Sequence, residues 1–173
     1  MARMTSRALT IRLAEPRDAP AIALMSRDLI EAGLGWKYDA ERIQRSMRQR
    51  DTVVLVACER NLVAGFAIME FGDERAHLVL LAVRPAHRRR GIGRGLLEWL
   101  LGSARTAGMA SVHLELRAGN EAARGFYRAL GFSETLLVPG YYRGREAALR
   151  MLRLLRAPGP APFTWRPPAL DQS

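Results

Sequence analysis

The stretch Arg84-Pro85-Ala86-His87-Arg88-Arg89-Arg90-Gly91-Ile92-Gly93-Arg94-Gly95 constrains the fold more than any other part of the chain. It follows an apolar, strand-like run, Leu78 to Val83, and opens into a helical pattern with Leu96, Leu97, Leu100 and Leu101 on one side. A strand that ends in a glycine-broken basic loop and then starts a helix aims several backbone N–H groups and a helix N-terminus at one point, where a pyrophosphate fits. Five arginines and no acid between Arg84 and Arg94 add positive charge at the same place. The segment predicts a site for a phosphorylated cofactor.

Glycine-rich loops differ in spacing. A P-loop needs Gly-Lys followed by Ser or Thr, which this chain lacks. A dinucleotide fingerprint needs its third glycine where Leu96 stands, and an acid about 20 positions on; Glu115 lies near that offset, so spacing alone leaves that reading open. The pattern actually present is Arg-x-x-Gly-x-Gly, from Arg88 through Gly91 and Gly93. It resembles the acyl-CoA pyrophosphate loop of the Gcn5-related N-acetyltransferases, the GNAT superfamily.

A second segment carries the same resemblance. Asn120-Glu121-Ala122-Ala123-Arg124-Gly125-Phe126-Tyr127-Arg128-Ala129-Leu130-Gly131-Phe132 is similar to the superfamily's Asn-x-x-Ala-x-x-(Phe/Leu)-Tyr-x-x-x-Gly-Phe motif, at the expected distance after the loop. The resemblance implies an acetyl-CoA-dependent N-acetyltransferase. The loop Arg88, Arg89, Arg90, Gly91, Ile92, Gly93, Arg94 and Gly95 would bind the pyrophosphate, and the backbone of Leu81, Ala82 and Val83 would pair with the pantetheine arm. Asn120, a helix N-cap by position, would also reach the cofactor, and the Tyr127 hydroxyl would point at the thioester sulfur. Phe126 and Leu130 read as core.

Periodicity predicts alternating elements: a strand Leu9 to Leu13, a helix capped by Asp18 and stopped by Gly33 and Gly35, and a helix from Asp39 to about Arg48. Strands Thr52 to Cys58, Leu62 to Glu70 and His77 to Val83 read as an antiparallel meander. A helix from Gly93 to Ala107 and a strand Val112 to Leu116 complete a strand-helix-strand crossover. A helix Asn120 to Leu130 and a ribbon of Phe132 to Val138 with Ala147 to Leu155 follow. The fold class is α/β (α+β): a mixed, mostly antiparallel sheet with helices on both faces and a central β-α-β unit, as the GNAT resemblance implies. Residues 1–156 read as one domain, and the proline-rich stretch 157–173 as a flexible tail.

Composition bounds the rest. The formal charge is +10, yet of 27 basic residues only Lys37 is lysine, a bias spread over the whole chain. No aromatic-interleaved basic stripe appears, so no specific nucleic-acid partner is expected. No apolar run of membrane-spanning length or signal-peptide stretch at Met1 to Ala8 is seen, and a cytoplasmic location without membrane contact is the expectation. Cys58, the single cysteine, sits in an apolar strand and reads as a packed thiol. The histidines show no ligand spacing, and no metal is expected. A monomer or homodimer is consistent with the chain.

Acetyl transfer to an amine needs a neutral nucleophile and a donor for the departing sulfur. In the strand Val112 to Arg117, alternation places Val112, Leu114 and Leu116 on one face and His113, Glu115 and Arg117 on the other. Glu115 is the candidate base, directly or through water, unless it only pairs with an arginine. A terminal α-amine, with a pKa of about 8, asks less of a base than a lysine near 10.4. The C-terminal half is similar to the RimI-like branch of N-terminal acetyltransferases, in Leu114 to Asn120 and in Gly140-Tyr141-Tyr142-Arg143-Gly144-Arg145-Glu146-Ala147. That likeness implies Glu115 as base and Tyr141 and Tyr142 at a peptide entrance. The first 60 residues depart from that branch: Gly33-Leu34-Gly35-Trp36-Lys37-Tyr38 replaces its Pro-Trp element, so Trp36 and Tyr38 either contact the acceptor or plug the sheet. A protein or peptide N-terminus is the leading acceptor. The alternatives are a small amine, either a metabolite or an antibiotic-like molecule, and a basic or CoA-binding protein without catalysis.

Overall fold

The computed structural model describes residues 8–156. The proline-rich stretch read as a tail lies outside them. Strand β1 (Leu9–Leu13) leads through a 3-10 turn, Pro16–Asp18, into α1 (Ala19–Leu29) and α2 (Ala40–Arg48). The meander β2 (Thr52–Glu59), β3 (Leu62–Phe71) and β4 (Arg75–Val83) follows, then a 3-10 turn, Pro85–His87, and α3 (Ile92–Thr106). The chain continues through β5 (Ser111–Arg117), α4 (Glu121–Ala129), β6 (Ser133–Tyr142) and β7 (Glu146–Leu154).

The seven strands lie in the order β1-β2-β3-β4-β5-β7-β6. Every neighbouring pair is antiparallel except β4 with β5, as a crossover through α3 requires. The layer of α3 and α4 covers one face, where Leu96, Leu97, Leu100 and Leu101 are sealed against Leu55, Ala67 and Leu114. The layer of α1 and α2 covers the other, with Ile22 and Ile43 against Val56, Phe66 and Ile68. Each such fully buried aliphatic side chain contributes about 1.5–3 kcal/mol. Gly65 lets α3 approach β3 closely: a Cβ there would stand 3.1 Å from Ile92 Cγ2 and 3.2 Å from the Ala82 carbonyl oxygen.

Three local expectations change. Asp18 stands at the start of α1, but its carboxylate accepts from Arg12 at 2.7 and 3.1 Å and from the Glu15 N–H at 2.7 Å, not from the helix amides. Burial would raise the Asp18 carboxyl, and these bonds outweigh it and hold it below its ordinary value. The helix itself ends at Leu29, ahead of the two loop glycines, Gly33 and Gly35, whose φ values are 78° and 80°. The last ribbon is also longer than its apolar run suggests, because β6 continues through Tyr142, so the tyrosine pair closes a strand.

Cys58 is buried as expected, its Sγ accepting from Arg12 at 3.6 Å.

Candidate active site

The parallel pairing of β4 with β5 is short: Arg75–Ser111, Ala76–Val112 and His77–His113. Past that point β4 stays bonded to β3 and β5 to β7, so a wedge opens between them. Leu81, Ala82 and Val83 pair with Ala67, Phe66 and Gly65 on one side, and their other edge faces the wedge without a strand partner. A bulge prepares this. Ile68 pairs with Leu80 and Met69 with Leu78, leaving Val79 extra; Ala76 and Leu78 therefore face α3, whereas Leu80 and Ala82 face α1.

The basic loop closes the end of the wedge. Gly91 is the N-cap of the 15-residue α3, with φ 76°, no side chain caps the helix, and nothing lies within 4 Å of where a Gly91 Cβ would be. The amides of Ile92, Gly93 and Arg94 have no intrahelical acceptor by helix geometry, while the Gly95 N–H donates to Gly91 O at 2.9 Å. A Cβ on Gly93 would meet the Phe126 ring at 3.4 Å and Val83 Cγ2 at 3.6 Å, so loop, strand end and α4 converge there. Gly95 instead faces Ile11 and serves packing. An anion such as a pyrophosphate fits this cradle of open amides.

The arginines of the loop are largely engaged elsewhere. Arg84 Nε donates to Val63 O and Arg88 Nε to Val83 O, Arg94 pairs with Glu98, and Arg90 grips the buried Glu59 at 3.0 and 3.2 Å, with His87 Nε2 3.2 Å from the same carboxylate. Among the described residues only Arg89 of this group forms no ion pair or side-chain hydrogen bond, and its φ is 61°.

Tyr127, on α4, lies under the wedge on the α3 face. Its ring packs edge-on against Phe126 and Phe132, with centroids at 5.0 and 5.6 Å, and its hydroxyl forms no hydrogen bond among the described residues. Burial raises its ionisation well above the ordinary tyrosine value, so it stays an O–H donor. Asn120 caps α4 as expected, its Oδ1 accepting from the Ala123 N–H at 3.1 Å.

Glu115 lies on the opposite face of the sheet. Its Oε2 is 2.7 Å from His77 Nε2 and its Oε1 3.3 Å from Arg150 Nε. The His77 hydrogen bond outweighs burial and, with the charges of His77, His113 and Arg150, holds the carboxyl below its ordinary value. Glu115 thus pairs with an arginine, as one of its two readings has it, and it also lines a cleft of about 1010 Å³ that takes in His113, Arg75 and Arg150. This cleft opens on the sheet face opposite α3.

The rim of that face is built from two loops. Glu31, nearly buried, gathers the α1–α2 loop by accepting from Ser26 Oγ at 2.9 Å and from the amides of Lys37 and Tyr38 at 2.7 and 3.2 Å. Arg117 pairs with Glu146 and donates to the carbonyls of Ile30 and Ala32, and Arg143 Nε donates to Leu34 O at 3.0 Å. The β6–β7 end is thereby clipped to the α1–α2 loop around a cavity of about 280 Å³ lined in part by Tyr142, Arg143 and Arg145. Tyr141 stacks edge-on against Tyr142 at 4.9 Å, and burial, then the charges of Tyr141 and Glu115, push Tyr142 up to about 12. Trp36 does not plug the sheet. It is exposed, with its indole N–H on Tyr38 O at 3.1 Å, while Tyr38 is half-buried under Arg42.

His77, Glu59, Glu31 and Arg117 are the site-forming residues that sequence reasoning did not single out. His77, Glu59 and Arg117 act through partners distant in sequence and Glu31 through a loop a few residues away, and no local pattern marks such contacts.

Three comparisons bear on this arrangement. A family model described as "Acetyltransferase (GNAT) family" matches residues 21–132. The [ribosomal protein bS18]-alanine N-acetyltransferase of Escherichia coli (strain K12) is 41% identical over 92 residues, which cover 51% of this chain and 62% of that protein's length. Among solved structures, the ribosomal-protein-S18-alanine N-acetyltransferase from Escherichia coli superposes with a TM-score of 0.75 at 29% identity, covering 88% of this chain and 97% of that one. The structure of yncA from Salmonella typhimurium with its cofactor acetyl-CoA superposes with a TM-score of 0.76 at 26% identity, over 91% of this chain and 99% of that one.

Proposed function

The chain belongs to the acetyltransferase (GNAT) family, and from that premise we propose that it moves an acetyl group from acetyl-CoA directly to a primary amine, the α-amine of a protein or peptide N-terminus, with residues 1–156 as the catalytic unit. The observation that carries the reading is the wedge between β4 and β5, with open amides of α3 at its end, the unpartnered Tyr127 hydroxyl on one face and Glu115 on the other. The named activities and cofactor of the similar proteins support it.

Bound acetyl-CoA supplies an activated acetyl thioester. The amides of Ile92, Gly93 and Arg94 hold its pyrophosphate, and the free edge of Leu81, Ala82 and Val83 aligns the pantetheine arm. Tyr127 donates its O–H to the sulfur as it departs. Glu115 is the carboxylate end of the path that takes the amine's proton. An α-amine of pKa about 8 asks less of that path than a lysine near 10.4, by about 3 kcal/mol. Tyr141, Tyr142 and Tyr38, with Trp36 at the outer edge, line the acceptor's approach between the clipped loops.

The test is acetyl-CoA consumption with peptides that carry a free N-terminus and an internal lysine, the product mapped by mass spectrometry. Acetylation at the α-amine is expected. Label on the lysine alone, or no peptide turnover by a protein that binds acetyl-CoA, would move the reading to a small amine.

The acceptor wall gives a separable prediction. Gly35 has φ 80°, and a Cβ on it would lie 2.6 Å from Arg143 Nη2. Gly35→Ala displaces Arg143 from Leu34 and loosens the clip. The KM for peptide is expected to rise severalfold while that for acetyl-CoA stays unchanged; equal changes in both would locate the damage elsewhere.

A further inference from the structure

We infer that His77 receives the acceptor amine's proton and that Glu115 is the residue that positions it; the inference rests on the N-terminal acetyltransferase reading. His77 is the last β4 residue paired with β5, at the point where the two strands part. Its side chain is 34% exposed against 12% for Glu115, so it is the more accessible member of the pair. Both oxygens of Glu115 are already engaged, Oε2 by His77 at 2.7 Å and Oε1 by Arg150 at 3.3 Å.

The pairing fixes the chemistry of the ring. An ionised carboxylate can only accept, so Nε2 carries the proton and the lone pair stands on Nδ1. Among the described residues Nδ1 has no hydrogen-bond partner. The His113 ring stacks on His77 at 4.6 Å and 3°, which holds the plane of the imidazole. Burial, then the neighbouring His77, lowers the His113 ionisation, so this second ring stays neutral and adds no repulsion. The other charged groups around the pair are Arg75 and Arg150.

In the step proposed, an N–H bond of the acceptor ammonium breaks and a bond from that proton to His77 Nδ1 forms. The positive charge then lies on an imidazolium against the Glu115 carboxylate, and the free amine attacks the thioester. The proton leaves the partly exposed His77 side chain to solvent water.

Three variants and one spectrum decide the matter. His77→Gln keeps an N–H for Glu115 but offers no base. It is expected to fold and bind acetyl-CoA like the parent and to lose about 100-fold or more in kcat for an α-amine peptide, and added imidazole should restore part of the turnover of His77→Ala. Glu115→Gln should lose less than His77→Gln. Turnover of His77→Gln within about threefold of the parent, whatever Glu115→Gln does, overturns the inference. Long-range proton–nitrogen NMR of the imidazoles adds a readout without turnover: His77 should carry its proton on Nε2, and lose that preference in Glu115→Gln. A proton on Nδ1 in the parent overturns the inference too. A parent that binds acetyl-CoA but is inactive on every peptide would overturn the proposed function and with it the proton transfer, whatever the NMR shows, whereas an active parent with an active His77→Gln overturns the inference alone.

Discussion

Replacing Tyr127 by phenylalanine is expected to lower kcat by about 100-fold or more while leaving acetyl-CoA affinity within about twofold of the parent. The substitution is unusually clean because the hydroxyl has no hydrogen-bond partner among the described residues. Removing it orphans no buried group, and the Phe126 and Phe132 contacts at 5.0 and 5.6 Å are made by the ring, which remains. Any loss of turnover therefore reports on the hydroxyl's role in the reaction and not on packing.

The role follows from burial. A thiol of pKa about 8.5, if it behaves like cysteine, is a weaker base than a tyrosinate of pKa about 10, and burial widens that gap. Tyr127 therefore stabilises the departing sulfur chiefly by donating a hydrogen bond and keeps its own proton across the working pH range. Steady-state kinetics with calorimetric binding of coenzyme A measures both quantities. A Tyr127→Phe protein with kcat within about threefold of the parent would remove Tyr127 from the reaction.

The second large effect is expected at Glu59, which lies at the end of β2, far in sequence from the loop it governs. Its buried carboxylate holds Arg90 by two bonds of 3.0 and 3.2 Å and stands 3.2 Å from His87 Nε2. Both partners belong to the basic loop ahead of α3. The hydrogen bond to Glu59, then its charge, raises the Arg90 ionisation further above its ordinary value. In Glu59→Ala the loop loses this anchor, and the amides of Ile92, Gly93 and Arg94 lose their common aim. The KM for acetyl-CoA should rise about tenfold or more, with kcat at saturation little changed, since misplacing a preorganised binding group costs affinity first.

Arg90→Gln separates two roles for the arginine. If Arg90 acts only as the anchor's partner, its removal should cost no more than that of Glu59. If it touches the pyrophosphate as well, it should cost more and weaken with added salt. An unchanged acetyl-CoA KM in Glu59→Ala would mean that the loop is held by its own backbone.

The element order, the covered faces and the anion cradle were legible in the chain because each depends on neighbours in sequence. Gly91 and Gly93 free the backbone, Leu96, Leu97, Leu100 and Leu101 repeat at helical spacing, and alternation from Val112 to Arg117 sorts Leu114 inward and Glu115 outward. The two GNAT-like segments add the fold and the role expected of Tyr127, and the RimI-like stretch Leu114 to Asn120 adds the role expected of Glu115.

Tertiary structure alone decided what these residues touch. His77 meets Glu115 across 38 positions, Arg90 meets Glu59 across 31, and Arg143 reaches Leu34 across 109. Such contacts depend on strand register, and register turns on a single residue: the extra Val79 in β4 puts Leu80 and Ala82 on the face opposite Ala76 and Leu78. In the apolar run Leu78 to Val83 every residue suits either face, so hydrophobic pattern carries no mark of that bulge. After His77, β4 stays bonded to β3 and β5 to β7, a parting that is visible only once the distant strands are in place.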